Sequence, residues 1–245
     1  MAKFAVILPA AGRSSRFGDP MYKKPFIPMA NRPVWLYSAE RFVNRSDVVQ
    51  LILVIAQEDR EEFFFKFGSN VAILGIDVVD GGTERCDSVE KALARVKPEA
   101  QFVCIHDAAR PCLADPWIDS VFAAAERTGA AILAVPVHGT LKRVADRTIQ
   151  ETVSRSGLWE AQTPQVFRRE LILEAYAQRG GFQATDDSQL VERLGRPVTV
   201  VPGSSLNIKI TTKEDLRHAE QALKALPKPK LSGPAHPFAD DDMWR

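Results

Sequence analysis

Short clusters of basic, acidic and small residues in this sequence have the types and spacing needed to bind phosphate groups. The first cluster follows the apolar run Phe4–Pro9 and reads Pro-Ala-Ala-Gly-Arg-Ser-Ser-Arg-Phe-Gly over residues 9–18. Small residues let backbone N–H groups approach an anion, and nearby cations supply positive charge. A solvated basic turn is the alternative, but this density of small residues and cations favours a phosphate site. The cations are Arg13, Arg16, Lys23 and Lys24, against one acid, Asp19.

This first loop matches neither of two widespread nucleotide-binding motifs. It lacks the G-x-G-x-x-G fingerprint of dinucleotide-binding domains and the G-x-x-x-x-G-K-[ST] sequence of P-loop enzymes. Hydride transfer and P-loop ATPase chemistry are therefore disfavoured. An NAD-dependent oxidoreductase would fit only the order of strands and helices described below.

A pair of glycines opens the second cluster, Gly-Gly-Thr-Glu-Arg-Cys-Asp-Ser over residues 81–88. Paired glycines allow the backbone to approach a planar base or a sugar closely. The same residues also suit a plain turn before a helix, with Asp87 or Ser88 as the N-cap. Taken alone, this cluster supports both interpretations equally.

The third cluster, His-Asp-Ala-Ala-Arg-Pro over residues 106–111, directly follows an apolar run of strand length. Asp107 could hold a hard cation that bridges phosphates. It could also cap a turn or form an ion pair with Arg110. We expect His106 to be the last residue of the strand, hydrogen-bonded and partly buried, with no catalytic role.

Weaker signals follow later in the chain. Thr140 lies in a polar segment with two cations, and residues 155–165 read Arg-Ser-Gly-Leu-Trp-Glu-Ala-Gln-Thr-Pro-Gln. Residues 207–211 read Asn-Ile-Lys-Ile-Thr. The two isoleucines around Lys209 suggest a strand with one polar position facing a cleft. Single surface cations are usually solvated, so each of these signals is weak in isolation.

The elements that must position these clusters form an α/β pattern. Short apolar runs alternate with segments of helical spacing, which predicts a mostly parallel sheet with helices on both faces. Ligands bind such a sheet beyond the carboxyl ends of its strands, where the first three clusters lie. Predicted strands cover residues 4–9, 49–55, 71–79, 102–106, 131–137 and 197–201, and predicted helices cover residues 34–43, 58–67, 87–96, 116–127, 168–178, 186–194 and 213–226.

Two segments depart from this alternation. Residues 139–153 are polar and strand-prone, and we interpret them as a hairpin arm, about residues 138–155, that projects from the domain. Residues 227–245 hold 4 of the 16 prolines and an Asp-Asp-Asp run, a composition typical of a disordered tail. The sequence therefore predicts one domain over residues 1–226, followed by this tail.

The overall composition excludes several classes of protein. The 245 residues are 45% hydrophobic and 26% charged, with a net charge of +1, which excludes a collagen, a coiled coil or a mostly disordered chain and argues against a nucleic-acid partner. No apolar run approaches the roughly 20 residues that cross a membrane, and the first apolar run is too short for a signal peptide. Scattered cysteines and histidines predict reduced thiols, no zinc site and a cytoplasmic location.

Five blocks of this sequence resemble, in the same order, the cytidylyltransferases that act on 2-C-methyl-D-erythritol 4-phosphate in the non-mevalonate isoprenoid pathway. The third and fourth blocks are specific to that family, whereas the glycine pair alone is not. The resemblance implies a Rossmann-like nucleotidyltransferase domain, a divalent cation (usually Mg²⁺), and a homodimer in which an arm of one subunit reaches over its neighbour's site. The blocks are residues 9–24, 81–88, 106–111, 155–165 and 207–211.

The resemblance also implies roles for individual residues. The residues expected to bind the nucleotide CTP are Ala10, Ala11, Gly12, Gly82, Thr83 and Ser88. The expected catalytic cations are Arg16, Lys24, Arg155 and Lys209. The residues expected to bind the polyol phosphate are Asp107, Arg110, Thr140, Arg155 and Thr163. Asp107 is also the expected metal ligand, and Thr140 and Arg155 are expected to act across the dimer.

The sequence departs from the family pattern at several positions. One extra residue lies between Arg16 and Lys24, so either Lys23 or Lys24 is the functional lysine. Thr83 stands where the family frequently has Asp, and Gly139 precedes the arm threonine where an acid is common. These departures concern the details of acceptor binding more than the triphosphate site.

The resemblance implies in-line attack of the acceptor's phosphate on the α-phosphorus of CTP, without a covalent intermediate. Other functions remain open at this point. One is a cytidylyltransferase for another polyol phosphate, such as ribitol 5-phosphate, or a sugar-phosphate nucleotidyltransferase. Another is a non-catalytic nucleotide-binding regulator, which would be expected to lose the cations while keeping the glycines.

Overall fold

The computed structural model of the protein describes residues 1–12 and 26–227. The predicted phosphate-binding cations Arg13, Arg16, Lys23 and Lys24 lie outside the described residues, as does the predicted tail from residue 228 onward. The described strands are β1 Phe4–Pro9, β2 Pro28–Met29, β3 Arg32–Pro33, β4 Val48–Ile55, β5 Asp77–Asp80, β6 Phe102–Ile105, β7 Ala130–Pro136, β8 Leu141–Ala145, β9 Thr148–Val153, β10 Trp159–Arg168 and β11 Thr199–Pro202. The described helices are α1 Val34–Val43, α2 Arg60–Leu74, α3 Arg85–Leu93, α4 Asp115–Thr128, α5 Arg169–Ala177, α6 Ser188–Arg193 and α7 Lys213–Ala225.

Seven of these strands form one central sheet in the order β11-β7-β10-β6-β1-β4-β5. Strands β1, β4, β5 and β6 are mutually parallel, and β11 is parallel to β7. Strand β10 runs antiparallel to both of its neighbours, β6 and β7. The prediction of a mostly parallel α/β sheet is therefore confirmed, with one reversed strand near its middle.

Helices cover both faces of the sheet because strands such as β1 are apolar on both sides. Phe4, Val6 and Leu8 point into a core built with α1, α2 and α4, whereas Ala5 and Ile7 point into a second core built with α3, α5 and α6. All five side chains are fully buried. A continuous apolar strand is typical of a sheet packed on both faces, as the sequence indicated. Helix α7 packs on a third, smaller cluster at one end of the sheet.

Local signals explain most helix boundaries. Helix α4 begins with a proline in its first turn and ends at Gly129, whose φ of 87° suits a left-handed C-cap. Helix α7 begins with a capping box, since the Asp215 amide donates to Thr212 Oγ1 at 3.1 Å and the Thr212 amide donates to Asp215 Oδ2 at 2.8 Å. Helix α3 begins earlier than predicted, with Glu84 rather than Asp87 or Ser88 at the N-cap.

Two sequence predictions about elements were wrong, and one strand was not predicted. The strand predicted over residues 71–79 is short, because α2 continues to Leu74 and ends only at the left-handed Gly75. The strand β10 was not predicted, because its polar first half and Pro164 interrupt the apolar pattern. Residues 207–211 form no strand; they cross the end of the sheet as an extended loop.

The predicted arm is a two-stranded hairpin made of β8 and β9. Its turn places Asp146 and Arg147 at φ values of 48° and 62°, the positive values that a tight hairpin turn needs. Nearly all of its side chains are exposed, including Val144 and Ile149, which are 54% and 60% exposed. No helix among the described residues is long and apolar enough to cross a membrane.

Candidate active site

Three loops meet beyond the carboxyl ends of neighbouring parallel strands. The Ala10 amide donates to the Val54 carbonyl at 2.7 Å, and the Gly81 amide donates to the Ile55 carbonyl at 2.7 Å. These two hydrogen bonds attach the loops after β1 and β5 to the end of β4. The loop after β6 lies beside the same edge, since the His106 amide donates to the Ile7 carbonyl at 2.9 Å. The first three sequence clusters are thus brought together as the parallel sheet predicted.

The paired glycines are required by close packing of the loop after β5. A Cβ atom on Gly81 would lie 2.5 Å from Ala11 Cβ, and one on Gly82 would lie 2.4 Å from Asp87 Cβ. The Gly82 amide donates to Ser88 Oγ at 3.0 Å, so Ser88 shapes the loop from beneath. A cleft of about 270 Å³ lies on this loop, between Ala11, Gly82, Thr83 and the chain after β4. It joins the small residues of the first cluster to those of the second.

The Asp107 carboxylate is surrounded by three cations. Its Oδ2 lies 2.6 Å from Lys209 Nζ and 3.7 Å from Arg110 Nε, and its Oδ1 lies 3.3 Å from Arg85 Nε. Asp107 and Arg110 are buried, whereas the Lys209 side chain is 41% exposed. The sequence analysis left open whether Asp107 pairs with Arg110, and the structure shows that it pairs with cations from three separate segments.

These cations decide the ionisation of Asp107. Burial by itself would raise the pKa of the Asp107 carboxyl, but the positive charges of Arg85, Lys209 and Arg110 outweigh burial and hold its pKa well below the ordinary range. Asp107 is therefore a permanent anion at neutral pH. Its ion pairs keep three cationic groups at the mouth of the site.

His106 and Thr163 hold the Asp107 loop from below. The Asp107 amide donates to Thr163 Oγ1 at 3.0 Å, and Thr163 Oγ1 lies 3.1 Å from His106 Nδ1. The other ring nitrogen, Nε2, lies 3.0 Å from the Arg110 carbonyl, which can only accept, so Nε2 carries the proton. Burial lowers the pKa of His106 to about 4, which keeps the ring neutral. His106 is fully buried rather than partly buried, and it supports the loop as a structural residue.

A bulge in β10 brings Thr163 to this position. The pairing of β10 with β7 shifts register between Ala161 and Gln165, and Pro164 lies inside that shift. Bulges re-aim side chains next to functional sites and tolerate proline, which lacks an amide donor. Thr163 is thereby turned towards Asp107 at the junction of β6 and β10.

Lys209 reaches Asp107 because its loop is fastened on both sides. The Arg110 Nη1 group donates to the Asn207 carbonyl at 2.7 Å, and the Ile210 amide donates to the Ala109 carbonyl at 2.9 Å. The Asn207 side-chain amide donates to the Thr163 carbonyl at 2.8 Å. An extended loop held by Asn207 and Ile210 thus replaces the strand that the sequence suggested, with Lys209 directed at the site.

A cavity of about 230 Å³ opens beside Asp107. Its wall is polar, and only some of its residues were predicted from the sequence to belong to a binding site. The lining includes the predicted residues Asp107, Arg110, Thr163 and Lys209, and the unpredicted residues Arg85, Gln162, Gln165, Thr185 and Asp186. Arg85 follows the glycine loop in sequence, so consecutive residues of the chain line the two clefts, Gly82 and Thr83 in one and Arg85 in the other.

The sequence analysis missed a group of buried residues behind this cavity. Asp187 is fully buried, accepts a hydrogen bond from the Tyr176 hydroxyl at 2.6 Å and lies 2.7 Å from Arg85 Nη2. Burial raises the pKa of Tyr176, so its hydroxyl stays protonated and donates. The Asp-Asp pair at 186–187 was the available signal, but an acid before a helix is normally interpreted as a solvated cap.

Comparison with known proteins establishes the family. A model of 2-C-methyl-D-erythritol 4-phosphate cytidylyltransferase matches residues 4–225 of this chain. The chain belongs to that family. A protein of this name from Rhodopirellula baltica is 44% identical over 233 residues, covering 91% of this chain and 95% of that protein. One from Bacillus velezensis is 40% identical, covering 91% of this chain and 97% of that protein.

Solved structures agree with this membership. The crystal structure of the Francisella tularensis 2-C-methyl-D-erythritol 4-phosphate cytidylyltransferase superposes with a TM-score of 0.76 at 28% identity, covering 91% of this chain and all of that chain. The family consists of nucleotidyltransferases, so this chain is an enzyme of that class. The family and the Rossmann-like fold that the sequence blocks implied are both confirmed.

Two residues that the family resemblance assigned to the acceptor lie outside the cavity of their own subunit. Thr140 and Arg155 are exposed at the base of the arm, and the Arg155 guanidinium donates to the His138 carbonyl. Neither residue is among those that line the Asp107 cavity in the described part of the chain.

The donor set beside Asp107 fits a metal ion carried by a triphosphate. Among the described residues, no group of three or more His, Cys, Asp or Glu side chains is arranged around a metal position. Mg²⁺ at nucleotide sites keeps several waters and takes phosphate oxygens with only one or two carboxylates. Asp107 would supply one such carboxylate, through the oxygen Oδ1 or Oδ2, to a metal that the nucleotide carries.

Proposed function

We propose that this enzyme transfers the cytidylyl group of CTP to 2-C-methyl-D-erythritol 4-phosphate, forming the CDP-alcohol and pyrophosphate. The observation that best supports this function is the Asp107 cavity, in which one carboxylate contacts Lys209, Arg110 and Arg85. Such a cluster suits two polyanions that must approach each other. Membership of the cytidylyltransferase family supports CTP as the donor and methylerythritol phosphate as the acceptor.

The nucleotide would lie along the first and second clusters. A cytosine and its ribose would occupy the cleft of about 270 Å³ on this loop, which is lined by Ala11, Gly82 and Thr83. Thr83 is exposed at the cleft, whereas Ser88 acts through the hydrogen bond that shapes the loop. Ala11 and Gly12 would offer backbone amides to the phosphates, with Arg16 and Lys24 supplying charge as the family resemblance implies. The Ala10 amide is bound to the Val54 carbonyl, so Ala10 would only let the phosphates approach the loop closely.

The reaction needs neither a covalent intermediate nor a strong base. An oxygen of the acceptor's phosphate attacks the α-phosphorus of CTP in line, and a new P–O bond forms. The bond from the α-phosphorus to the oxygen bridging the β-phosphorus breaks, and its electron pair leaves with pyrophosphate. The attacking oxygen is already an anion near neutral pH, so catalysis consists of positioning and electrostatic stabilisation.

The protein's cations would divide this work. Arg16 and Lys24 would stabilise the triphosphate and the leaving group, Lys209 would approach the α-phosphate, and Arg155 would hold the acceptor's phosphate. Arg110 and Thr163 would keep the acceptor cavity in shape, since both are buried and hydrogen-bonded around Asp107. A bound Mg²⁺, held at Asp107, would neutralise phosphate charge.

We also propose a homodimer in which the arm of each subunit completes the neighbouring site. Thr140 and Arg155 are exposed on the arm and lie away from their own subunit's cavity. Val144 and Ile149 are apolar and more than half exposed, which is typical of a surface that another chain covers. The arm-borne Thr140 and Arg155 would then reach the acceptor bound by the partner.

A pyrophosphate-release assay with a panel of acceptors tests this function. The wild-type protein is incubated with CTP, Mg²⁺ and methylerythritol 4-phosphate, ribitol 5-phosphate or a hexose 1-phosphate. Release with methylerythritol 4-phosphate that far exceeds release with the other two is the expected result. Equal rates with ribitol 5-phosphate would contradict the proposed acceptor. Binding of CTP by calorimetry without turnover on any acceptor would instead indicate a non-catalytic regulator.

A further inference from the structure

Arg85 joins two buried carboxylates that come from different loops. Its Nε lies 3.3 Å from Asp107 Oδ1, and its Nη2 lies 2.7 Å from Asp187 Oδ2. The second oxygen of Asp187 accepts a hydrogen bond from the Tyr176 hydroxyl at 2.6 Å. The guanidinium is therefore held between a carboxylate at the site and a carboxylate behind it.

Asp187 itself does not line the substrate cavity. It is fully buried, and its neighbour Asp186 lines the cavity while Asp187 does not. Its amide and that of Ser188 both donate to Gln165 Oε1 at 3.0 Å, which anchors the start of α6 to β10. A buried carboxylate requires a counter-ion, and for Asp187 that counter-ion is Arg85.

The three cations around Asp107 differ in their freedom to move. Arg110 is buried and donates to the Asn207 carbonyl, and Arg85 is anchored by Asp187. The Lys209 side chain is 41% exposed, so it can turn towards a phosphate. If Lys209 were the sole counter-ion of Asp107, its departure would strand a buried charge. Arg85 and Arg110 remain as counter-ions of Asp107 when Lys209 leaves, so the buried carboxylate stays paired.

We propose that Arg85, held in place by Asp187 and Tyr176, is a positioning residue that keeps Asp107 neutralised while Lys209 moves from Asp107 to a substrate phosphate. This inference rests on the proposed function, in which Lys209 binds phosphate during cytidylyl transfer. It assigns a catalytic consequence to Asp187 and Tyr176, two buried residues that touch no substrate.

Kinetics of the Asp187→Asn variant test the proposal. The substitution keeps the shape of the side chain and removes the charge that holds Arg85. We expect kcat to fall on the order of 10²-fold, as for other misplaced catalytic groups, with the KM for CTP unchanged. Arg85→Met should lower kcat similarly, and Arg85→Lys should recover part of that loss because it restores the cation. Tyr176→Phe provides a milder variant that keeps the Arg85–Asp187 pair, should Asp187→Asn fail to fold.

A double-mutant cycle separates positioning from simple stabilisation. In a Lys209→Met background, Asp187→Asn or Tyr176→Phe should cause no further fall in kcat, because no lysine remains to be released. Asp47→Asn is the matched control: its 2.7 Å pair with Arg45 lies before β4, at the opposite edge of the sheet. That control should lower the thermal midpoint and leave kcat unchanged.

The outcomes are distinguishable. If the wild-type enzyme is active and the folded Asp187→Asn variant has the same kcat, this inference is overturned while the proposed function stands. Effects of Asp187→Asn and Lys209→Met on kcat that simply multiply would overturn it too. A wild-type protein that releases no pyrophosphate from CTP with any acceptor would overturn the proposed function and this inference with it.

Discussion

The ammonium group of Lys209 lies 2.6 Å from Asp107 Oδ2, although the two residues belong to distant parts of the chain. The contact exists because Arg110, in the same loop as Asp107, donates to the Asn207 carbonyl, and the Asn207 side chain donates to the Thr163 carbonyl in the middle of β10. An acid in a site for polyphosphates would repel its substrates if it stood alone. Surrounded by Lys209, Arg110 and Arg85, Asp107 is instead neutralised, so its negative charge is not presented alone to a polyphosphate.

Loss of Lys209 should reduce catalysis without unfolding the protein. We expect Lys209→Met to lower turnover on the order of 10²–10³-fold, because one preorganised cation no longer stabilises the transition state. Its side chain is 41% exposed, and Arg85 and Arg110 still neutralise Asp107 in the variant, so the thermal midpoint should change little. Pyrophosphate release and differential scanning calorimetry measure the two effects. Lys224→Met, on the exposed side of α7, is the control and should match wild type in both.

The two candidate lysines of the first cluster can be separated by substitution. We expect Lys24→Ala to abolish most pyrophosphate release while leaving the thermal midpoint nearly unchanged, because an ammonium on the triphosphate supplies charge rather than packing. Lys23→Ala should retain turnover in the same assay. The reverse result would transfer the role to Lys23, and normal turnover in both variants would refute a phosphate-binding lysine in this cluster.

A methyl group on the glycine loop should disturb nucleotide binding. In Gly82→Ala the new Cβ would lie 2.4 Å from Asp87 Cβ, and Asp87 is held by Arg179 at 2.8 Å, so the loop must shift. We expect a rise in the KM for CTP and a loss of about 1–3 kcal/mol in the free energy of unfolding from overpacking. Gly68→Ala is the control, since its nearest neighbour is a Phe64 ring carbon at 3.8 Å. An unchanged KM for CTP in Gly82→Ala would show that the nucleotide does not use this loop.

Protonation of His106 should weaken the fold in mild acid. Its pKa is lowered by burial to about 4 in the folded protein, against an ordinary value near 6.5. Between these values the unfolded chain binds a proton that the folded protein excludes, so stability falls as pH falls from about 6.5 to 4, by about 3 kcal/mol in total. The lowered pKa of Asp107 affects stability at lower pH: the stability that its ion pairs contribute is lost as the pH falls below about 4. The free energy of unfolding, measured with urea at a series of pH values, reports the contributions of His106 and of Asp107. In His106→Gln this free energy should no longer fall between pH 6.5 and 4. An unchanged fall in that variant would show that His106 is not the responsible group.

Mixed dimers test whether the arms act across subunits. Arg155→Met and Lys209→Met should each be nearly inactive alone. After mixing and subunit exchange, a heterodimer contains one complete site, so about a quarter of wild-type turnover should return at equal amounts. No recovery, despite heterodimers seen by native mass spectrometry, would mean that Arg155 acts within its own subunit.

Particular residues show how far the sequence alone could lead. The apolar run Phe4–Pro9 and the alternation of strands and helices after it predicted a mostly parallel sheet. Because loops that follow parallel strands meet beyond the carboxyl ends of those strands, Gly81 and Asp107 were expected on the same side of the sheet. The strand β10 was not predicted, because polar residues and Pro164 interrupt its apolar pattern. Its bulge nevertheless turns Thr163 towards Asp107. The suggested strand at Lys209 was wrong, since its loop is held by contacts with distant residues.

The sequence by itself determined the family, the α/β fold class and the arm, because these depend on local periodicity and on short motifs. It also predicted Asp107, Arg110, Thr163 and Lys209, which line the Asp107 cavity, but not the other residues of its wall. Only the tertiary structure decided that Asp107 has three cationic partners, that His106 is neutral and fully buried, and that Asp187 and Tyr176 stand behind Arg85. Ion pairing and burial depend on which distant segments meet. No local pattern around Asp187 distinguishes an acid that caps a surface helix from one that holds a buried arginine.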